Sequence, residues 1–288
     1  MLNFLPVHQR GIFAVILAGV IWSTGGIFIK LISLNAFQLS FFRSLLAAAV
    51  FAFLFRIEVT KINGLSILSS VFYAGILILF VAATKMTSAA NAIFLQYTAP
   101  FYVLVLEPLL LKTKFDRMNL VILIICFSGM FLFFMGDFGE GYLYGNLVAV
   151  ASGVCFAAFL LLVRKNGNEY QSASIFWGNI IIALICSFSL PEIVALNSDD
   201  LIMVSYLGVF QIGIAYAIFS YGLKRVTAIE ASLLSMIEPV LNPVWVYFGY
   251  GESPSSYSII GGIIIILALS LNIYLYGRRA KAVKDLID

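Results

Sequence analysis

Apolar runs about as long as a bilayer is thick follow one another along the whole chain, separated by short polar punctuation. A hydrocarbon core of about 30 Å takes roughly 20 apolar residues in helical form. On that scale the pattern predicts ten spanning helices, over roughly 11–32, 36–55, 65–84, 89–110, 118–134, 145–163, 172–190, 201–222, 228–249 and 257–277. The connections carry Asn, Gly, Ser, Asp or Lys and leave no room for a soluble domain. The first run is long and lacks a small-residue cleavage site, so it reads as a span and not as a removed signal peptide.

Composition agrees. The 288 residues are 62% hydrophobic and only 11% charged, against about 45–50% and about 25% in an ordinary soluble domain. A disordered chain, a disulfide scaffold and a soluble enzyme are thereby excluded. The single histidine, His8, precedes the first run, which leaves histidine triads, His-rich metal sites and a histidine relay without material. Cys126, Cys155 and Cys186 are isolated within apolar runs and read as small hydrophobes. Intramembrane proteases and prenyl or phospholipid transferases need His- or Asp-rich constellations. The chain therefore reads as a non-enzyme without metal or cofactor.

Lys and Arg orient the spans. With the N-terminus inside, the cytoplasmic segments hold Arg10, Arg56, Lys61, Lys112, Lys114, Arg117, Arg164, Lys165, Lys224, Arg225, Arg278, Arg279, Lys281 and Lys284. The opposite side holds Lys30 and Lys85, and Arg43 lies within span 2. This bias alternates correctly through ten spans, placing both termini in the cytoplasm and the protein in the cytoplasmic (inner) membrane. The basic tail reads as a positive-inside anchor on the lipid bilayer, and nothing indicates nucleic-acid binding.

An internal repeat accompanies the spans. "AIFLQYTAP" (Ala92–Pro100) aligns with "ASLLSMIEP" (Ala231–Pro239) at an offset of 139. An offset of 134 carries Gly19 and Val20 onto Gly153 and Val154, and Lys30 onto Arg164. Spans 1–5 and 6–10 are therefore expected to be copies, residues 1–139 and 140–288. Five is odd, so the second copy enters the membrane upside down. The expected fold is an all-α polytopic membrane protein of ten transmembrane helices in two inverted five-helix repeats, a recurrent build of secondary transporters.

Polar residues inside the spans mark where such a protein binds its cargo. Pro100 and Pro108 fall in span 4, Pro239 and Pro243 in the equivalent span 9. Each proline frees a carbonyl four residues earlier, which inside a bilayer needs a partner; Pro100, Pro239 and Pro243 are taken as helix breaks. Glu107 and Glu238, each just before a proline, are the two carboxylates well inside spans, and such carboxylates are costly and often functional. Glu238 is the candidate for coupling or cargo contact. Glu107, nearer the cytoplasmic end, reads equally as a snorkelling side chain. Arg43 is expected to pair with one of them, to meet an anionic cargo group, or to reach an interface. Trp22, Tyr73, Gln96, Tyr97, Tyr102, Gln211, Tyr216, Asn242 and Trp245 complete an aromatic, weakly polar cavity suited to a small zwitterion or uncharged metabolite.

Several stretches carry a family resemblance: "LAGVIWSTGGIFIK" (Leu17–Lys30), "FFRSLLAA" (Phe41–Ala48), "NAIFLQYTAPFYVLVLEPLLLK" (Asn91–Lys112), "IEASLLSMIEPV" (Ile229–Val240) and "GYGESPSSYSIIGGIIII" (Gly249–Ile266). Across nearly its whole length the sequence resembles the EamA-type branch of the drug/metabolite transporter superfamily. The family's Glu-Pro in span 9 followed by Gly-Glu falls on Glu238-Pro239 and Gly251-Glu252, whereas span 4 ends in Leu111-Lys112 without the Gly-Glu usual in the first repeat. The resemblance implies a five-plus-five carrier for small organic solutes, often an exporter of amino acids or metabolites. The expected function is a secondary transporter for an amino acid or similar solute, acting by alternating access as exporter or exchanger. The competing readings are an uptake carrier for a nucleoside-type metabolite such as S-adenosylmethionine, and a passive channel or lipid translocator. The sequence is compatible with a monomer and does not set the oligomeric state.

Overall fold

A computed structural model describes residues 5–134, 143–192, 197–250 and 255–285. Among these the chain is helical throughout, as hydrocarbon demands of a backbone that must satisfy its own hydrogen bonds. Span 1 is α1 (Val7–Trp22) followed by α2 (Gly25–Leu31); span 2 is α3 (Ala36–Phe55); span 3 is α4 (Gly64–Met86). Span 4 is α5 (Ala89–Gln96) and α6 (Ala99–Leu111), and span 5 is α7 (Arg117–Phe134). Spans 6 and 7 are α8 (Leu143–Asn166) and α9 (Gln171–Cys186). Span 8 joins α10 (Ser198–Tyr206) to α11 (Ala215–Leu223) through a π-helical stretch, Leu207–Ile214. Span 9 is α12 (Ala228–Leu234) and α13 (Ile237–Tyr250), and span 10 is α14 (Ser256–Asp285).

Eight of these segments are both long and apolar enough to cross a membrane. Span 5 contributes a shorter apolar helix, Arg117–Leu132, and span 9 reaches its length in two pieces. The protein is thus an integral, polytopic, all-α membrane protein. Large apolar side chains such as Phe53, Leu109, Leu147, Leu184 and Ile202 point outward, onto what is lipid in a bilayer. The polar punctuation between the runs supplies N-caps: Asn35 and Asn63 form capping boxes with Gln38 and Ser66, and Ser88, Asn197 and Thr227 cap the next helices.

Packing follows a regular rule. Span 1 lies against spans 8 and 9, and span 6 against spans 3 and 4; span 3 packs on 7, and 8 on 2. Spans 2 and 7, 4 and 9, and 5 and 10 meet each other. Exchanging each span of the first five with its counterpart in the last five interchanges the first set of pairings and turns each of the last three into itself. Cys126 and Cys186 are buried thiols and Cys155 is half-buried. The 139/140 division, Gly251-Glu252 and the side chains of Pro243, Arg278, Arg279, Lys281 and Lys284 lie outside the described residues.

Candidate functional site

Three spans are interrupted near mid-length, at Ser23–Thr24, Tyr97–Thr98 and Ser235–Met236. The last two breaks precede Pro100 and Pro239, as expected from prolines that cannot donate to the preceding turn, whereas Pro243, also expected to break its helix, lies within the continuous α13. The break in span 1 has no proline. A hydroxyl turned back onto the preceding turn accompanies all three: Ser23 Oγ donates to the Val20 carbonyl (2.6 Å) and Thr24 Oγ1 to Ile21 (2.7 Å), Thr98 Oγ1 to Leu95 (2.7 Å), and Ser235 Oγ to Ala231 (2.8 Å). In span 1 the following Gly25-Gly26 pair weakens helix continuation further. "Ser-Thr-Gly-Gly" was the available signal for this third break.

Glycines let neighbouring helices come close to two of the breaks. A Cβ on Gly153 of span 6 would sit 2.6 Å from the Gln96 carbonyl oxygen and 2.9 Å from Thr98 Oγ1. A Cβ on Gly19 of span 1 would sit 2.5 Å from Ile237 Cγ2, with the Ser235 carbonyl 3.7 Å away. These are the two glycines that the offset of 134 superimposes.

Between the breaks lies a central cavity. Of the residues nominated from sequence, Trp22, Arg43, Gln96, Tyr97, Gln211, Tyr216 and Glu238 line it, together with Ile76, Leu77, Phe80, Phe156 and Ile212. All twelve are buried, and about 30 Å³ of space remains, room for one or two waters. A search for polar residues passes over the apolar five. Phe156 nonetheless had a signal, since the offset of 134 places it on Trp22.

Tyr97 joins the two broken helices. Its hydroxyl lies 2.7 Å from the Ser235 carbonyl, which Pro239 deprives of an i+4 donor and which also accepts the Glu238 N–H (3.0 Å), and 2.7 Å from Glu238 Oε2. The Tyr97 hydroxyl is the donor in both contacts, its proton shared between the carbonyl and the carboxyl oxygen. Gln96 Nε2 donates to Ser152 Oγ (2.7 Å), which donates to the Ile76 carbonyl (2.9 Å). Gln211, within the π-helical stretch, donates through Nε2 to the Trp22 carbonyl (3.4 Å). The Trp22 ring packs against Tyr216 at 4.7 Å between centroids.

Other candidates stand elsewhere. Tyr73 is one layer back, behind Tyr216 (4.9 Å between centroids), its hydroxyl accepting from Asn179 Nδ2 (3.1 Å). Tyr102 is half-buried against the apolar core, and Asn242 is buried off the cavity wall. Trp245 donates from Nε1 to Ser23 Oγ (2.7 Å), while Thr24 Oγ1 pairs with the Tyr206 hydroxyl (2.9 Å), so the span 1 break is stapled from spans 8 and 9.

Glu107 does not snorkel. It is 5% exposed and accepts the backbone N–H groups of Ala228 (3.1 Å) and Ile229 (3.0 Å). Thr227 Oγ1 takes the next one, that of Glu230 (3.2 Å). The first turn of α12 is thereby satisfied inside the protein, the requirement for a buried helix start. Arg43 also departs from the expected pairing: among the described residues, no ion pair or hydrogen bond links it to Glu107 or Glu238. Lys30 and Lys85 donate to the Thr87 (2.7 Å) and Ile32 (2.9 Å) carbonyls, tying the end of span 1 to that of span 3.

Two broken helices meeting at a buried polar cavity in a duplicated bundle is transporter architecture, and comparison with known proteins agrees. The model of the EamA-like transporter family matches twice, over residues 9–135 and 143–274. The chain belongs to the EamA-like transporter family. Through it the chain falls in the drug/metabolite transporter superfamily, whose members are membrane transporters and not enzymes. It is 25% identical over 260 residues to an uncharacterized transporter of Archaeoglobus fulgidus, covering 90% of this chain and 94% of that one. It is 25% identical over 289 residues to the uncharacterized transporter YxxF of Bacillus subtilis, covering 95% and 92%. Human solute carrier family 35 member G1 is 20% identical over 285 residues, covering 91% of this chain and 78% of the human protein. A solved crystal structure shares the fold with a TM-score of 0.77 at 19% identity, over 94% of this chain and 98% of that one.

Proposed function

We propose that this secondary transporter moves a small organic metabolite across the cytoplasmic membrane by alternating access, as an exporter or exchanger, with its cargo in the central cavity. The carrying observation is that this cavity lies between helix breaks held by repeat-equivalent glycines, Gly19 and Gly153. The symmetric packing of spans n and n+5 supports two five-helix halves, residues 1–139 and 140–288. An odd number of spans per half makes them inverted, so each half offers the conformation that its partner currently holds. A cavity of about 30 Å³ is too small for an organic solute, which fits an occluded conformation and speaks against an open pore. Lys and Arg distribution supports cytoplasmic termini. Glu238, bonded across the halves to Tyr97, is the proposed coupling residue: gain or loss of its proton alters the contact that joins spans 4 and 9.

The test is a thermal-shift screen of the purified protein against amino acids, nucleosides and S-adenosylmethionine, followed by counterflow of the hits in proteoliposomes. A solute that both stabilises and exchanges supports the carrier. Flux without counterflow overturns alternating access in favour of a channel.

A further inference from the structure

Arg43 sits in the interior of span 2, 1% exposed, on the wall of the central cavity. Among the described residues, its Nε and one of its Nη nitrogens have no hydrogen-bond partner and no carboxylate lies within ion-pair distance. Its titratable neighbours are two phenols, Tyr73 and Tyr216. A buried, unpaired guanidinium is among the most unfavourable groups a fold can hold, and such charges are ordinarily paired or bound to a ligand. Glu238 lines the same cavity and does not relieve it, because its carboxyl is held by Tyr97 on the other broken helix.

Two further unpartnered polar atoms belong to this wall. Trp22 Nε1 is an N–H donor without an acceptor, and Gln211 Oε1 is an acceptor without a donor, on residues 5% and 4% exposed. The orphans are thus mostly donors, grouped on Arg43 and Trp22, with one acceptor from span 8. The donor group calls for a planar anion with two oxygens: the guanidinium fork matches a carboxylate, and the indole N–H adds a third bond. The acceptor calls for an N–H or O–H elsewhere on the same molecule. The remaining wall (Phe80, Phe156, Tyr216) is aromatic and suits an apolar body. With one cation present, a doubly charged phosphate ester would bring an unmatched charge.

We infer that Arg43 and Trp22 form the carboxylate subsite of this transporter, so that its cargo is a small monocarboxylic acid with an apolar or aromatic body and an amino or hydroxyl group for Gln211. This rests on the carrier reading above. The space of about 30 Å³ beside Arg43 has room for water where the carboxylate would lie. Separation of the two halves admits the acid, whose charge Arg43 neutralises for passage through the low-dielectric interior.

The experiment uses the full-length protein with L-phenylalanine, phenyllactate and phenylacetate, each beside its carboxamide, with a nucleoside and phenyl phosphate as contrasts. Thermal shift and counterflow are read for wild type, Arg43→Lys and Arg43→Gln. In wild type the acids bind better than their amides by about 10- to 100-fold, the worth of a charged hydrogen bond. Arg43→Gln brings acid and amide within about two-fold of each other, and Arg43→Lys keeps part of the preference by charge without the fork. Without ligand, Arg43→Gln is as thermostable as wild type or more so, because the residue it replaces lacks an internal partner. Loss of folding in Arg43→Gln assigns Arg43 a structural role and overturns the inference. Equal exchange of acids and amides by wild type, or exchange confined to the nucleoside or phenyl phosphate, overturns it while the carrier stands. Absence of counterflow with any solute, flux persisting, defeats the carrier reading and this inference together.

Discussion

Span 4 and span 9 occupy corresponding places in the two halves, both break one helical turn ahead of a proline, and there the likeness stops. Span 4 brings the side chains of Gln96 and Tyr97 to the cavity, whereas span 9 brings Glu238 alone and offers the buried Ser235 carbonyl to the Tyr97 hydroxyl. Repeat alignment sets Ala99 opposite Glu238, so the carboxylate has no counterpart. The helix starts differ as well: α5 and α12 both begin on an N-cap hydroxyl, Ser88 and Thr227, but α12 adds the carboxylate of Glu107. Spans 1 and 6 repeat the lesson. Gly19 and Gly153 do the same packing work, yet span 1 breaks after Trp22 and α8 runs on through Phe156-Ala157-Ala158-Phe159. Duplication reproduces the backbone arrangement because packing requires it; the chemistry at each level is then set locally by a few side chains.

The largest effect expected from breaking this asymmetry is at Glu238. Replacing it by Gln leaves a neutral side chain that cannot exchange a proton, and transport in proteoliposomes should be abolished or lose its pH dependence. Unchanged flux at every pH would remove Glu238 from coupling. Next come the glycines. Gly153→Ala drives a methyl onto the Gln96 carbonyl, which has no room to retreat, and should cost about 1–3 kcal/mol, read as a lower melting temperature. Gly19→Ala meets the Cγ2 branch of the Ile237 side chain and not a backbone atom, so a χ1 change can relieve it, and it should cost less. Equal losses at the two positions would show that both halves hold their breaks with the same rigidity. Glu107→Ala leaves two buried N–H groups bare and should cost about 2 kcal/mol in thermal stability with the apparent KM for cargo unchanged; a KM shift would instead put Glu107 in the cargo path. The smallest effect belongs to Trp245→Phe, which removes the bond to Ser23. About 0.6 kcal/mol is expected, as for hydrogen bonds between membrane helices generally, with a faster opening rate in stopped-flow measurements.

Much of this was legible from composition and spacing. Ten spans, their edges and the breaks in spans 4 and 9 follow from hydrophobic length and proline position, because a bilayer leaves the backbone few alternatives. Seven of the nominated polar and aromatic residues do line one cavity, since polar side chains in a bilayer-spanning chain are driven inward. Sequence position alone was insufficient for Glu107, whose partners are 121 and 122 residues away, and for Trp245 and Tyr73, whose aromatic character suits both a cavity wall and the layer behind it. The span 1 break went unrecognised because Ser, Thr and Gly weaken a helix without forbidding it.

By itself, then, the sequence determined that this chain crosses a membrane many times, that its halves are related, and which few polar residues must be buried. Those conclusions depend on local properties, hydrophobicity, proline geometry and charge. Only the tertiary structure decided which buried group answers which: Tyr97 takes Glu238 and the Ser235 carbonyl, Glu107 takes the start of α12, and Arg43 faces the cavity with no partner among the described residues. Pairing among buried polar groups depends on distances between helices far apart in sequence, and no local pattern encodes them.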